Sequence, residues 1–324
     1  MKKICILFFG ALLIFLLDAP CAKAFEVDMK DVVFDVHGFA QAQYVYEEHG
    51  NDDFKAVRER LRVKGRWDEH LSFFTQLDVR LDNILCDVFV DLNYFENATI
   101  RVGQFCLPFG KQTPINPYNL LTIDYSQVVS ALNGGDDLRD QGIVAYGSYY
   151  DVDYALGITN GEGRNTSDEN DRKTFVGRLG YKPLRGLELG ISCYEGDRGK
   201  EKYDRKRVGA DVKYKYDRLL FQGEYVHSDD EKSDDTKHTW PGEGYFVEFG
   251  YEVTPALQPV IKYDVWNPKS GYDYDKSTIV ALGLNWYFSD WSKLQMIYEF
   301  NDKKDCSEDE CDNDKGIIQL GVEF

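Results

Sequence analysis

Five cations, Arg58, Arg60, Arg62, Lys64 and Arg66, occupy every second position of the segment RERLRVKGRW. A guanidinium presents a planar fork of N–H donors that fits phosphate or carboxylate oxygens two at a time, and an ammonium acts as a point charge. The chemistry open to such a row is attraction and coordination of anions. Spacing decides whether the five can act together. A helix would scatter them around its axis, whereas a strand sets all five on one face. Apart from Glu59, the positions between them (Leu61, Val63, Gly65, Trp67) are apolar or small. The segment therefore reads as a strand with one basic and one apolar face.

The elements that must position this row repeat its pattern along the chain. After residue 31, stretches of about ten alternating residues are separated by breaks that are alternately short and long. The short ones are DEH (68–70), ENA (96–98), DV (151–152), PLRG (183–186), DR (217–218), TPA (254–256) and SDW (289–291). Charged, longer ones lie at 48–53, 162–171, 197–204, 229–241, 267–274 and 303–313, with a tight NIL at 83–85 and a long stretch after Pro108. Sixteen strands result, starting near residues 33, 54, 71, 86, 98, 139, 153, 172, 187, 205, 219, 242, 257, 275, 292 and 314. An even number of alternating strands with short turns at one end and long loops at the other predicts an all-β, 16-stranded antiparallel transmembrane β-barrel. A soluble β-sandwich would explain the alternation but not the asymmetry of the connections. No helix-period segment of useful length interrupts the pattern.

Alternation also assigns the faces. In residues 35–47, Val36, Gly38, Ala40, Ala42, Tyr44 and Tyr46 share one side, and Asp35, His37, Phe39, Gln41 and Gln43 the other. In 277–288 the apolar face is Val280, Leu282, Leu284, Trp286 and Phe288. An apolar exterior around a polar interior is what a water-filled membrane barrel requires. Trp67, Trp286, Phe288 and Trp291 fall at the short-turn ends, as an aromatic girdle does. The five cations are thus expected to line a lumen.

Composition fits an exported membrane protein. The 324 residues carry formal charge −18 and 15% aromatics, 22 of them Tyr, yet mean hydropathy is −0.46. Residues 1–24 read as a signal peptide: Lys2 and Lys3, the apolar run ICILFFGALLIFLL, then AKA before Phe25. Asp18 and Pro20 before Cys21 speak against a lipoprotein site. Removing the segment takes away Lys2, Lys3, Lys23 and Asp18, a net of two positive charges, and leaves −20 for residues 25–324. No later apolar run is long enough for a membrane helix. Cys306 and Cys311, flanking SEDE, could close a loop disulfide in an oxidising compartment, while Cys86, Cys106 and Cys193 read as small apolar side chains. Few histidines (His37, His49, His70, His227, His238) and no nucleophile motif beside them leave no basis for a barrel enzyme, a cofactor or a metal site. An adhesin needs neither aligned lumen charge nor a constriction, and the acidic outer loops disfavour nucleic acid.

Four segments, RVGQFCLPFGKQ (101–112), RDQGIVAYG (139–147), YALGITNGEG (154–163) and the Arg-rich strand, in order and spacing, resemble the porin O/P family of phosphate-selective outer-membrane porins. That resemblance implies a trimeric channel in a Gram-negative outer membrane passing phosphate and other small anions, and a third loop, about 108–138, folded inward as a constriction. A loop of some thirty residues is rarely structureless unless functional. Leu120, Leu121, Ile123, Val128 and Val129 make it apolar enough to pack on an inner wall, with Lys111 near the narrowest point and within reach of the ladder. The anion pathway is expected to comprise Arg58, Arg60, Arg62, Lys64, Arg66, Arg80, Arg101 and Lys111. Lumen acids nearly balance lumen cations, however, with Glu224, Glu248, Asp264 and Glu299 gathered on late strands, so the alternative is a general, weakly selective porin. The terminal strand GIIQLGVEF, ending on Phe324, resembles the signal read by the barrel assembly machinery. The acidic loops at 228–235 and 305–314 suit a solvated surface bridged by divalent ions to lipopolysaccharide.

Overall fold

The computed structural model describes residues 25–29, 32–132, 139–231, 239–270, 276–304 and 313–324. The segment 1–24, His238, Cys306 and Cys311 lie outside them. Among the described residues no helix is long and apolar enough to cross a membrane.

After a short β1 (Phe25–Met29) come β2 (Val32–Glu47), β3 (Asp53–Arg66), β4 (Leu71–Asp78), β5 (Leu85–Phe95) and β6 (Ala98–Cys106). A short helix, α1 (Gln127–Leu132), lies in the long connection to β7 (Arg139–Tyr149), β8 (Val152–Thr159), β9 (Thr174–Leu184) and β10 (Leu187–Arg198). The chain continues through β11 (Tyr203–Tyr216), β12 (Leu219–Glu231), β13 (Thr239–Tyr251), β14 (Leu257–Asn267), β15 (Ser277–Ser289), β16 (Ser292–Lys303) and β17 (Lys315–Glu323). Strands β2 to β17 pair antiparallel in sequence order, and β17 returns to β2, closing a ring of sixteen. Every expected strand start lies within three residues of the observed one.

The additional strand has a geometric reason. β2 has 16 residues and β17 only nine, and their pairing ends at Glu323 opposite Phe39. Below that point one edge of β2 would be bare. β1 covers it, pairing Phe25 with Val36 through Met29 with Val32, so the exposed edge is blunted. The backbones of Gly38 and Phe324 exchange N–H···O bonds of 2.7 and 2.9 Å where the seam ends.

The two faces follow the alternation. Outward side chains such as Leu282, Trp286, Ile318 and Leu320 are all more than 40% exposed, an apolar surface that bilayer hydrocarbon covers. Inward positions are polar and buried. A chain of carboxamides crosses the seam: Gln43 Nε2 donates to Gln319 (2.7 Å), Gln319 to Gln295 (3.0 Å) and Gln295 to Asn285 (3.0 Å). Asn285 in turn donates to Gln258 (3.2 Å). Each link gives a buried amide a partner whose loss would cost about 1–3 kcal/mol.

Candidate functional site

On β3 the five cations share the inward face, and their cross-strand neighbours decide what each can do. Phe39, His37 and Asp35 on β2 stand opposite Arg60, Arg62 and Lys64, and Asp78, Gln76 and Phe74 on β4 stand opposite the same three. Arg60 is spent on a buried ion pair, its Nε 2.9 Å from Asp78, with both side chains almost fully enclosed. Arg58 reaches Asp124 at 3.1 Å and Gln41 at 3.3 Å. Arg62 donates to the neutral carbonyl of Gln76 at 2.7 Å, and its guanidinium lies 5.2 Å from the Phe39 ring centre. Lys64 is exposed, and among the described residues neither it nor Arg62 has a carboxylate within ion-pair distance. Arg66, half exposed, touches Asp35 only at 3.9 Å. The row therefore divides into a compensated pair, Arg58 and Arg60, an uncompensated Arg62 and Lys64, and Arg66 with a loose contact to Asp35.

The remaining expected pathway residues are dispersed. Arg101 makes a two-pronged bond to Asp91 (2.8 and 2.9 Å) with its guanidinium 3.6 Å from the Phe89 ring centre. Arg80 lies beyond the end of β4, exposed in the connection 79–84, and not on a strand face with the others. Asp82 sits in the same turn. Lys111 pairs with Glu188 on β10, seven strands round the ring from β3, so it stands across the barrel and not within reach of the ladder. The sequence misplaces Lys111 because the direction in which a long connection runs is not written in its own residues.

What the sequence does not disclose is the work of the late-strand acids. The connection from Leu107 to Leu132 bonds to inward-facing groups on successive strands. Gly110 N–H donates to Ser192 Oγ on β10 (3.0 Å), and the N–H groups of Lys111 and Gln112 both donate to Glu224 Oε2 on β12 (2.9 and 3.1 Å). Gln127 N–H donates to Asp264 on β14 (2.8 Å), and Asn285 on β15 donates to the Leu121 carbonyl (2.9 Å). Gly110 adopts φ +70°, and a Cβ there would collide with the Glu224 carboxylate. Leu120, Leu121, Ile123, Val128 and Val129 are all buried, and the last four sit in clusters with strand residues such as Val226, Phe246, Val260 and Ile297. The available signal was a set of inward acids on late strands with too few cations near them in sequence. For Glu224 the partners are backbone amides more than a hundred residues away, whereas Asp264 takes the Gln127 N–H and also has Lys262 at 3.7 Å.

Beside this connection a cavity of about 640 Å³ opens along β6 to β9, walled by Arg101, Lys111, Arg178 and Tyr146. Arg178 is itself held by Asp211 in a two-pronged bond (2.9 and 2.6 Å). Cys86 and Cys106 are at least partly buried, whereas Cys193 is exposed on the outward face.

A closed ring of sixteen antiparallel strands, apolar outside and lined by charge and carboxamide within, defines the outer-membrane porin class. The chain belongs to the phosphate-selective porin O and P family, whose model matches residues 31–201 and 197–324. No curated protein matches the sequence. Among solved structures it is similar to an anion-selective porin from Comamonas acidovorans, at 13% identity and TM-score 0.68, covering 90% of this chain and 99% of that one. It is similar as well to OmpF of Salmonella typhi in complex with daunomycin, at 16% identity and TM-score 0.69, covering 93% and 100%. The trimer form of Vibrio cholerae OmpT matches at 12% identity and TM-score 0.66, covering 91% and 100%. At these identities the likeness is one of fold.

Proposed function

We propose that this porin passes small hydrophilic solutes by diffusion with a preference for anions, phosphate among them, and that Arg62 and Lys64 supply the preference. The observation that carries this reading is the inward-facing Arg62 and Lys64 without an ion-pair partner among the described residues. In a water-filled passage with low-dielectric walls, unpaired charge focuses the field and raises the local concentration of counter-ions. Arg58, Arg60, Arg101 and Lys111 contribute position more than net charge, since each has an acid beside it. Residues 107–132, with their bonds to β10, β12, β14 and β15, are the part of the third loop that narrows the passage. In this reading residues 1–24 direct export and are removed, the protein acts as a channel without catalysis, and three copies assemble as in the OmpT trimer form.

The compensated ion pairs favour a second reading, a general porin of weak selectivity. Single-channel recording in a KCl gradient separates the two. Anion preference appears as a zero-current potential on the chloride side, with chloride current reduced when phosphate is added. A potential near zero that phosphate does not alter selects the weakly selective channel.

A further inference from the structure

The lumen wall beside the ladder carries a row of rings. Phe74 on β4 and Phe89 on β5 are direct cross-strand partners on the inward face, and their rings stack with centres 5.1 Å apart and planes 22° from parallel. Arg101 on β6 continues the row, its guanidinium 3.6 Å from the Phe89 ring centre and 4.9 Å from that of Tyr146 on β7. The Tyr146 hydroxyl donates to Asp91 at 3.1 Å, which fixes that end of the row. At the other end Lys64 on β3 stands directly opposite Phe74. From β3 to β7 the wall therefore reads ammonium, ring, ring, guanidinium, ring.

Phe39, Tyr194 and Phe246, also inward, are closed in. Phe74, Phe89 and Tyr146 keep part of their surface open. Phe89 and Tyr146 pack on one side against the buried cluster under the long connection, whereas Phe74 belongs to neither buried cluster. Apolar surface that faces a water-filled passage gains when something apolar covers it. Rings stacked round the wall turn their edges to the passage, and a ring edge meets the face of another ring favourably. Lys64 is exposed and has no carboxylate within ion-pair distance among the described residues. Directly opposed residues have Cβ atoms about 5 Å apart, so a carboxylate held by Lys64 sets an attached aryl ring against Phe74.

We propose that Lys64, Phe74 and Phe89 form a subsite for aromatic monocarboxylates, which retains them during passage more than inorganic or alkyl anions of equal charge. The carboxylate meets Lys64, with Arg62 beside it on the same face, and the ring covers Phe74 and Phe89. The charged half of the subsite rests on the reading given above, that Arg62 and Lys64 lack a counter-ion, and the aromatic half does not.

Inhibition of chloride current through wild-type single channels by benzoate, acetate and benzamide tests this. Benzoate should halve the current at a concentration about two- to tenfold below that of acetate, the gain one aromatic contact supplies. It should also act below benzamide, which has the ring without the charge. Phe74→Gln, its folding checked by unheated gel mobility, should bring benzoate level with acetate, and Phe74→Tyr should keep the preference. The zero-current potential in a KCl gradient should match wild type in both variants, because no charge changes. Equal action of benzoate and acetate on the wild type overturns the subsite and leaves the chloride preference standing. Benzamide as potent as benzoate overturns it as well, and so does a benzoate advantage that persists in Phe74→Gln. A potential near zero in KCl with benzoate still ahead of both would uphold the subsite and contradict the general anion preference alone.

Discussion

Arg60 and Arg62 stand two positions apart on one face of one strand, yet their partners give them different work. Arg60 shares a nearly dry enclosure with Asp78, so removing one member leaves the other charge buried and alone. Arg60→Ala should therefore destabilise the barrel by about 3–5 kcal/mol, the usual cost of breaking a buried pair. Replacing both members at once, Arg60→Gln with Asp78→Asn, should move ion selectivity little, because the pair carries no net charge. Arg62→Ala should do the reverse: a small loss of stability and a measurable loss of anion preference. Denaturant unfolding of the single variants and reversal potentials of Arg62→Ala and the double variant check this, and equal effects on selectivity would contradict it. The common face of the five cations was legible in the sequence, since alternation alone fixes it. Their division was not. Which acid meets which arginine depends on the register of β3 against β4, and nothing within RERLRVKGRW determines that Asp78 falls opposite Arg60.

Among the elements, the connection from Leu107 to Leu132 shows most plainly what the sequence could and could not tell. Its length and apolar content marked it as packed and functional, and the burial of Leu120, Leu121, Ile123, Val128 and Val129 agrees with the packing. The anchoring was hidden because Glu224 and Asp264 lie on β12 and β14, and the groups of the connection that reach them are main-chain N–H groups that carry no sequence label. If this connection narrows the passage, deleting Pro114 to Ser130 should raise single-channel conductance substantially while the barrel still assembles. Unchanged conductance in a well-folded deletion variant would mean that the segment does not restrict flow.

Across the whole molecule, pairing in sequence order with one closing contact, β17 on β2, leaves sixteen strands without a free edge over most of their length. Such a structure unfolds as a unit. The chain in detergent should give a strand-rich circular dichroism spectrum and migrate faster on gels unheated than boiled; a helical spectrum or identical mobilities would contradict closure. Strand number and faces were readable because the breaks between strands alternate short and long. The short β1 was not, since it exists only to cover the part of β2 that β17 is too short to reach. The central claim, that uncompensated cations on β3 bias the channel towards anions, is tested most directly by reversing Arg62 and Lys64 to Glu together. The zero-current potential in a salt gradient should move towards cation selectivity. The shift should be largest at low salt and fade as the Debye length falls from ~10 Å at 0.1 M to ~3 Å at 1 M. A double variant that keeps the wild-type potential at low salt would show that the ladder does not set selectivity.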